Sequence, residues 1–211
     1  MIRVKVCGLT KLDQILNLEE LGVDFAGMIF YKKSPRSVWK GDLTPGEVKK
    51  SIRKINLVGV FVNEEPDVVL RAVDEWNLDM VQLHGDESPR YCETISNHVH
   101  CIKAFRVGKD DKIDYKVYPY AEAVDLFLFD TLSKEYGGTG LQFDWNLLKN
   151  SSLNKPFFLS GGIGPDDVSF IHQFAGSQQN LFAIDVNSKF EVSPGIKNMN
   201  LIQTFLKAIN K

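Results

Sequence analysis

Asp130 is the residue in this sequence whose setting most suggests chemistry. It closes the apolar run Phe127–Phe129 and precedes a loop with three glycines, Gly137, Gly138 and Gly140. A carboxyl group at the end of a buried strand can give a proton to a substrate, or it can form a local turn with its own backbone. Helix capping does not explain it, because the next predicted helix begins around Asp144. The glycines would let the backbone approach a ligand closely, or let the loop close as a lid.

Cys7 is the second candidate, because it ends the predicted first strand and precedes Gly8. A buried cysteine usually behaves as a small hydrophobic residue. A thiolate, however, is a competent base or nucleophile. Since a thiol ordinarily titrates at about pH 8.5, it needs backbone donors or a cationic neighbour to act as a base near neutrality. Cys92 and Cys101 lack such a position and are expected to pack in the core. Cys7 as a base and Asp130 as an acid would be the minimum set for an isomerisation.

Gly161 and Gly162, in the motif FLSGGIGPDDV, follow a predicted strand and precede a predicted helix. Free backbone N–H groups near a helix start suit a phosphate, and the last loops of a barrel often bind one. The alternative is a tight turn into an ordinary helix. Asp166 and Asp167 support that alternative, because acidic residues in a first turn cap a helix rather than bind anions. The position in the chain favours phosphate binding.

Arg36 and His84 also lie in predicted loops. Arg36 belongs to the segment KKSPRSV, where its planar guanidinium could hold a carboxylate or a phosphate, or remain an exposed loop cation. His84, in VQLHGDES, could be an acid or base, a ligand, or a structural imidazole. No second His or Cys stands at metal-ligand spacing from it, so the sequence predicts no metal site.

Eight short apolar runs, each followed by a helical pattern, must position these residues. Most are apolar at successive positions rather than alternating, which is typical of parallel strands covered on both faces. The predicted strands are Ile2–Cys7, Phe25–Phe30, Leu57–Val62, Met80–Leu83, Cys101–Phe105, Leu126–Phe129, Phe157–Leu159 and Phe182–Val186.

This repetition predicts an α/β fold, a single (β/α)8 TIM barrel that spans residues 1–211 as one catalytic domain. An open doubly wound sheet is the alternative, but no G-x-G-x-x-G follows the first strand. In a barrel, functional residues collect where strands pass into the following loops. The candidates above, together with the segment Asp185–Ser188, occupy those positions and are therefore expected to meet.

Composition narrows the class of partner. The formal net charge is −2, from 25 basic and 27 acidic residues, and no block of like charge is present. This disfavours nucleic acid or a membrane surface as a partner. The amino terminus has no apolar signal region, and no apolar run approaches the roughly 20 residues of a membrane span. Three widely spaced cysteines disfavour a disulfide framework and favour a reducing cytoplasm. A near-neutral surface fits a monomer or a homodimer.

Taken together, the motifs resemble those of the phosphoribosylanthranilate isomerase family of tryptophan biosynthesis. The resemblance spans nearly the whole chain and follows the family's order. It rests on the segments KVCGLT, GMIFYKKSPRSV, VGVFVNE, VQLHGDE, IKAFRV, FDTLSKEYGGTGLQFDW, FLSGGI and DVNSKFEVSPGIK.

The resemblance implies an Amadori rearrangement of a small-molecule substrate, N-(5-phosphoribosyl)anthranilate, without metal or organic cofactor. It implies that Asp130 is the general acid and Cys7 the general base, and that Arg36 holds the anthranilate carboxylate. The phosphate would be held by Gly161, Gly162 and the backbone around Asn187 and Ser188. His84 and Asp185 match positions that line the family's site.

Two positions depart from the family pattern. Lys189 stands where the family usually has glycine, which either alters the loop or adds a cation near the phosphate, and Asn198 replaces a frequent aspartate. Two other functions are also considered. Another phosphoribosyl isomerase would typically carry an aspartate at the position of Cys7. A non-catalytic barrel that binds sugar phosphates is disfavoured because Cys7 and Asp130 are both present.

Overall fold

A computed structural model describes residues 1–132 and 142–211 of the chain. The predicted glycine loop, with Gly137, Gly138 and Gly140, lies outside these described residues.

Eight parallel strands form a closed barrel in chain order, and the last strand pairs with the first. The predicted (β/α)8 barrel is therefore confirmed. The strands are β1 Arg3–Cys7, β2 Phe25–Ile29, β3 Asn56–Phe61, β4 Met80–Leu83, β5 His100–Val107, β6 Leu126–Thr131, β7 Phe157–Leu159 and β8 Leu181–Val186.

The predicted bounds were wrong by two residues at the carboxyl ends of β5 and β6, and by at most one residue at the ends of the other strands. The apolar run ends at Phe129, but the strand continues through Asp130 and Thr131. These two residues pair in register with Arg106 and Val107 of β5, so the backbone ladder extends beyond the apolar side chains. Asp130 is thus held by a strand and not by a loop.

Helices cover the outside of the barrel, and several begin at a proline that follows a capping residue. Thr44 Oγ1 accepts the N–H of Glu47 at 3.3 Å, and Ser88 Oγ accepts that of Tyr91 at 3.2 Å. The α-helices are α1 Leu12–Glu20, α2 Pro45–Ser51, α3 Pro66–Trp76, α4 Pro89–Ser96, α5 Ile113–Val117, α6 Asn146–Lys149, α7 Val168–Ser177 and α8 Met199–Ile209. After β8, strands β9 Glu191–Ser193 and β10 Ile196–Lys197 form a small antiparallel hairpin.

The barrel interior changes character along its axis. Apolar side chains fill its middle: Phe25, Val58, Met80, Ile102, Ala104, Leu126, Leu128, Phe158 and Ala183. Successive side chains of a strand point to opposite faces, so the next inward positions toward the carboxyl ends include Lys5, Gln82 and Asp185, and all three are buried. A polar layer therefore lies between the apolar interior and the mouth.

A second buried lysine, Lys103, lies on the outward face of β5 and fixes a loop. Its Nζ donates to the carbonyl of Gly85 at 2.8 Å and pairs with the Glu87 carboxylate at 3.0 Å. Glu87 Oε1 in turn accepts the N–H groups of Asn63 at 2.9 Å and Gly85 at 3.1 Å. These contacts join the chain after β3 to the chain after β4.

We expect Lys103→Met to lower the free energy of unfolding by about 3–5 kcal/mol, because it leaves the Glu87 carboxylate buried without its cation. Urea denaturation measures this loss. Lys11→Met is the matched control, since its pair with Asp42 is exposed and should contribute no more than about 1 kcal/mol. Equal losses in the two variants would contradict the proposed difference.

Candidate active site

One cavity, with a volume of about 740 Å³ including its open mouth, lies at the carboxyl ends of the strands. All the residues predicted for the site line it except Arg36. Those that do are Cys7, His84, Asp130, Gly161, Gly162, Asp185, Asn187 and Ser188. The expectation that strand ends would bring these residues together is confirmed for this set.

Cys7 is the last residue of β1, and its position depends on Gly27 beside it on β2. A methyl group on Gly27 would lie 2.8 Å from Cys7 Sγ, so only glycine leaves room for the thiol. The carbonyl of Gly27 also accepts the N–H groups of Gly8 and Leu9, at 2.9 and 3.0 Å. The chain is therefore held on both sides of the point at which it leaves the barrel.

The charged groups around Cys7 shift the pKa of its thiol in opposite directions. Burial raises the pKa of the Cys7 thiol, Lys5 lowers it, Asp185 raises it and Lys197 lowers it, and the net result lies above the ordinary value. Lys5 is fully buried, with its Nζ 3.0 Å from Asp185 Oδ1. Burial alone would lower the pKa of Lys5, but Asp185 and Cys7 hold it above its ordinary value, so its ammonium stays charged.

Asp130 forms the predicted local turn and still faces the cavity. Its Oδ1 accepts the N–H of Thr131 at 2.8 Å, whereas Oδ2 lies 3.4 Å from Nε2 of His84. Gln82 Nε2 lies 2.9 Å from His84 Nδ1, and an amide that donates there leaves the proton of a neutral imidazole on Nε2. This nitrogen lies close to the Asp130 carboxyl group.

Two buried polar atoms of the cavity lining lack a hydrogen-bond partner among the described residues, Nε2 of His84 and Oε1 of Gln82. The distance between His84 and Asp130 suits an electrostatic contact, but the alignment does not make a hydrogen bond. Buried polar groups in native proteins nearly always have partners. A polar ligand in the cavity would supply them.

The loop after β7 has the backbone of a close-approach site. Gly161 has φ +91° and Gly162 has φ +64°, a region that favours glycine, and a methyl group on Gly161 would collide with Thr131. The N–H of Gly164 is bonded to Asp167 Oδ2 at 2.7 Å, which closes the short 3-10 turn Pro165–Asp167 that leads into α7. Phosphate binding, which stays a prediction, would therefore use Gly161 and Gly162 rather than Gly164.

Lys189, the departure from the family pattern, reaches this loop. A methyl group on Gly164 would lie 2.9 Å from Lys189 Cδ and 3.6 Å from its Nζ. The substitution thus places an ammonium group beside the loop after β7.

Arg36 is not an exposed loop cation, since its side chain is 12% exposed. Its Nε lies 2.9 Å and its Nη2 2.8 Å from Oε2 of Glu191. Glu191 Oε1 also accepts from Lys197 Nζ at 2.7 Å and from the N–H of Gly195 at 3.1 Å. Burial would raise the pKa of Glu191, but Arg36 and Lys197 keep it below its ordinary value. The contact between Arg36 and a substrate carboxylate stays a prediction, since Arg36 pairs with Glu191 and is not among the residues that line the cavity.

Sequence reasoning missed Lys5, Glu191 and Lys197. A signal existed for Lys5, because it interrupts an apolar strand two positions before Cys7 and must share its face. No such signal marks Glu191, which meets Arg36 across 155 positions of sequence.

Residues 1–132 and 142–211 contain neither a cluster of metal ligands nor a membrane-spanning helix. No three His, Cys, Asp or Glu side chains there are grouped as metal ligands, and no helix there is long and apolar enough to cross a bilayer. The expectations of no metal and no cofactor stay predictions.

The chain resembles known proteins over its whole length. Residues 4–208 match the family described as N-(5′-phosphoribosyl)anthranilate isomerase. The N-(5′-phosphoribosyl)anthranilate isomerase of Parabacteroides distasonis is 35% identical over 207 residues, which cover 98% of this chain and 92% of the relative.

Two solved structures show the same similarity in three dimensions. The phosphoribosyl anthranilate isomerase of Thermotoga maritima has a TM-score of 0.84 at 34% identity and covers 100% of this chain and 99% of its own. A phosphoribosyl anthranilate isomerase in complex with reduced 1-(o-carboxyphenylamino)-1-deoxyribulose 5-phosphate has a TM-score of 0.80 at 32% identity, with the same coverage. The similarity extends over the whole barrel and is not confined to one loop.

We expect Gly27→Ala to lower the free energy of unfolding by about 1–3 kcal/mol, because its methyl group overpacks against Cys7. The loss should shrink in part in a Cys7→Ala background, where Sγ is gone but Cα and Cβ of residue 7 still lie 3.0 and 3.1 Å from the added methyl group. Gly46→Ala is the control: no neighbouring atom of the described residues lies within 4 Å of its added methyl group, and alanine favours the helix by up to about 1 kcal/mol. Urea denaturation of the four variants measures these effects, and a Gly27→Ala variant as stable as the parent protein would contradict the contact.

Proposed function

This chain belongs to the N-(5′-phosphoribosyl)anthranilate isomerase family, and from that membership we propose that Cys7 and Asp130 carry its reaction as general base and general acid. The protein is an enzyme of tryptophan biosynthesis, an isomerase that converts N-(5-phosphoribosyl)anthranilate to 1-(o-carboxyphenylamino)-1-deoxyribulose 5-phosphate. The observation that carries the assignment of roles is the position of Cys7 and Asp130 in the lining of one cavity, on different strands of the barrel.

In the first step, the carboxylic acid of Asp130 protonates the ring oxygen of the furanose. The bond between this oxygen and C1 breaks, and the nitrogen lone pair forms an iminium. Asp130 is left as a carboxylate facing the imidazole N–H of His84 at 3.4 Å. That N–H stabilises the new negative charge without a proton transfer of its own.

In the second step, the thiolate of Cys7 removes the proton from C2. The electrons of the C–H bond move toward the iminium nitrogen, which becomes neutral, and an enolamine forms. A proton then adds to C1 and the hydroxyl at C2 loses one, which gives the ketone. No atoms are gained or lost overall, as an isomerisation requires. A modest base suffices, because the iminium makes the C2 proton acidic.

The protein binds the substrate at its two ends, the phosphate and the anthranilate carboxylate. We assign the phosphate to Gly161, Gly162, Asn187 and Ser188, which support this role because they line the cavity. We assign the anthranilate carboxylate to the guanidinium of Arg36, which Glu191 holds in orientation.

Further parts of the proposal rest on composition, on architecture and on family membership. We infer one catalytic domain over residues 1–211, a monomer or homodimer in the cytoplasm, and no metal or organic cofactor. Support comes from the closed barrel and from three cysteines that are free and buried.

The purified protein should abolish the fluorescence of phosphoribosylanthranilate, and Cys7→Ser and Asp130→Asn should each lower kcat at least about 10²-fold by removing base and acid. Cys92→Ala and Asp110→Asn are the matched controls outside the cavity. Failure of the wild type to consume fresh substrate would refute the isomerase assignment. Near-normal kcat in either site variant would remove that residue from its role.

Arg36→Met should raise KM roughly 10- to 10²-fold with a smaller effect on kcat, because a charge-assisted contact to the carboxylate is lost. Steady-state kinetics should be repeated with the phosphoribosyl derivative of aniline, which lacks the carboxylate. The variant should treat this analogue as the wild type does, and Lys33→Met, in the same loop, should leave both substrates unaffected. An equal loss of affinity for the analogue would mean that Arg36 acts elsewhere.

A further inference from the structure

Lys5 is a buried charge that none of the proposed steps uses. It lies on the inward face of β1, two positions before Cys7, with its side chain 0% exposed. Burying an ammonium costs free energy unless it is paired, and Asp185 supplies the pair from β8. Asp185 Oδ2 lies 3.4 Å from Ser160 Oγ, so the carboxylate has a second contact.

We propose that Lys5 is the positioning residue that makes Cys7 a base: its ammonium, held beneath the thiol by Asp185, stabilises the thiolate that removes the substrate proton. This inference rests on the proposed function, because it assumes that Cys7 is the base.

The charges that face Cys7 come from three elements. Lys5 is on the same strand as Cys7, two positions earlier and on the same inward face, Asp185 is on β8, and Lys197 ends β10. The neighbouring position on β2 is Gly27, which carries no charge. Across the cavity stand Asp130 and His84. Burial and Asp185 raise the pKa of Cys7, whereas Lys5 lowers it more than any other charged neighbour does and Lys197 lowers it less.

Lys103 shows what a buried lysine with a structural role looks like in the same barrel. Its Nζ has three carbonyl acceptors within 3.4 Å, from Leu83, Gly85 and Ala104, besides the Glu87 carboxylate. Lys5 differs because its Nζ bonds the Asp185 carboxylate and its side chain shares the inward face of β1 with the proposed base two positions later. The two lysines therefore provide a matched comparison.

The test measures the pH at which Cys7 becomes a thiolate. Iodoacetamide alkylates thiolates, and mass spectrometry of the Cys7 peptide reads this residue apart from Cys92, whose pKa burial raises to about 12. Lys5→Met removes a cation that favours the charged form, so the midpoint of alkylation should move upward by roughly one to three pH units. Lys5→Arg keeps the charge and should restore most of the wild-type midpoint. Lys103→Met should leave the midpoint unchanged even where it lowers stability.

A paired variant covers the case in which Lys5→Met does not fold. Lys5→Met with Asp185→Asn removes both charges and leaves none buried alone. Its midpoint should also rise, by less than in Lys5→Met, because the opposing influence of Asp185 is lost too. An unchanged midpoint in the folded variants would overturn the proposal.

Turnover separates this proposal from the assignment of Cys7 as base. The rise of kcat/KM with pH should shift upward in Lys5→Met by the same amount as alkylation. A uniform loss of kcat/KM at every pH, together with an unchanged alkylation midpoint, would show a structural role and overturn the proposal. If the alkylation midpoint shifts and the turnover profile does not, Cys7 is not the base, and the assignment on which the proposal rests is refuted. If the wild type lacks turnover altogether, the isomerase assignment fails while the alkylation result stands.

Discussion

The ion pair between Lys5 and Asp185 is the constraint on which the rest of the site depends. It crosses the seam where β8 meets β1, and the two residues are direct partners in the register of that seam. A slip of one residue would turn one of these charges out of the interior and leave the other alone there. The pair thereby fixes how the barrel closes. Two residues further along β1, Cys7 lies beside Gly27 at the mouth.

The apolar layer beneath the polar layer strengthens the interactions between its charges, because it excludes water. Phenylalanine and aliphatic side chains fill the middle of the barrel, so water does not reach the lysine ammonium from below. Charges interact more strongly where water is excluded, which lets one lysine influence a neighbouring thiol substantially. The same exclusion makes each unpaired polar atom costly, as with His84 Nε2 and Gln82 Oε1 in the lining. These polar atoms therefore make the mouth of the barrel less stable than a wholly apolar interior would be.

Much of this molecule could be predicted from sequence because its regularities are local. Apolar runs marked all eight strands, and the position after each run pointed to Cys7, His84 and Asp130. The extension of β6 could not be foreseen, because it depends on pairing with β5 rather than on the side chains of β6 itself. The partner of Arg36 could not be predicted either. Glu191 belongs to a short hairpin, and no periodic pattern in the sequence indicates that hairpin. Lys5 could be recognised in the sequence as a charged residue within an apolar strand. Its role could not be inferred without knowing that Asp185 pairs with it.

The pairing of β8 with β1 also has a consequence for folding during synthesis of the chain. Lys5 and Asp185 are separated by 180 positions, so Lys5 leaves the ribosome long before its partner is synthesised. Until β8 docks, a collapsed intermediate that buried Lys5 would bury an uncompensated ammonium. Burying Lys5 before its partner is present therefore costs free energy. The charge pair thus disfavours closed, compact states of an incomplete chain and favours closure once β8 is present.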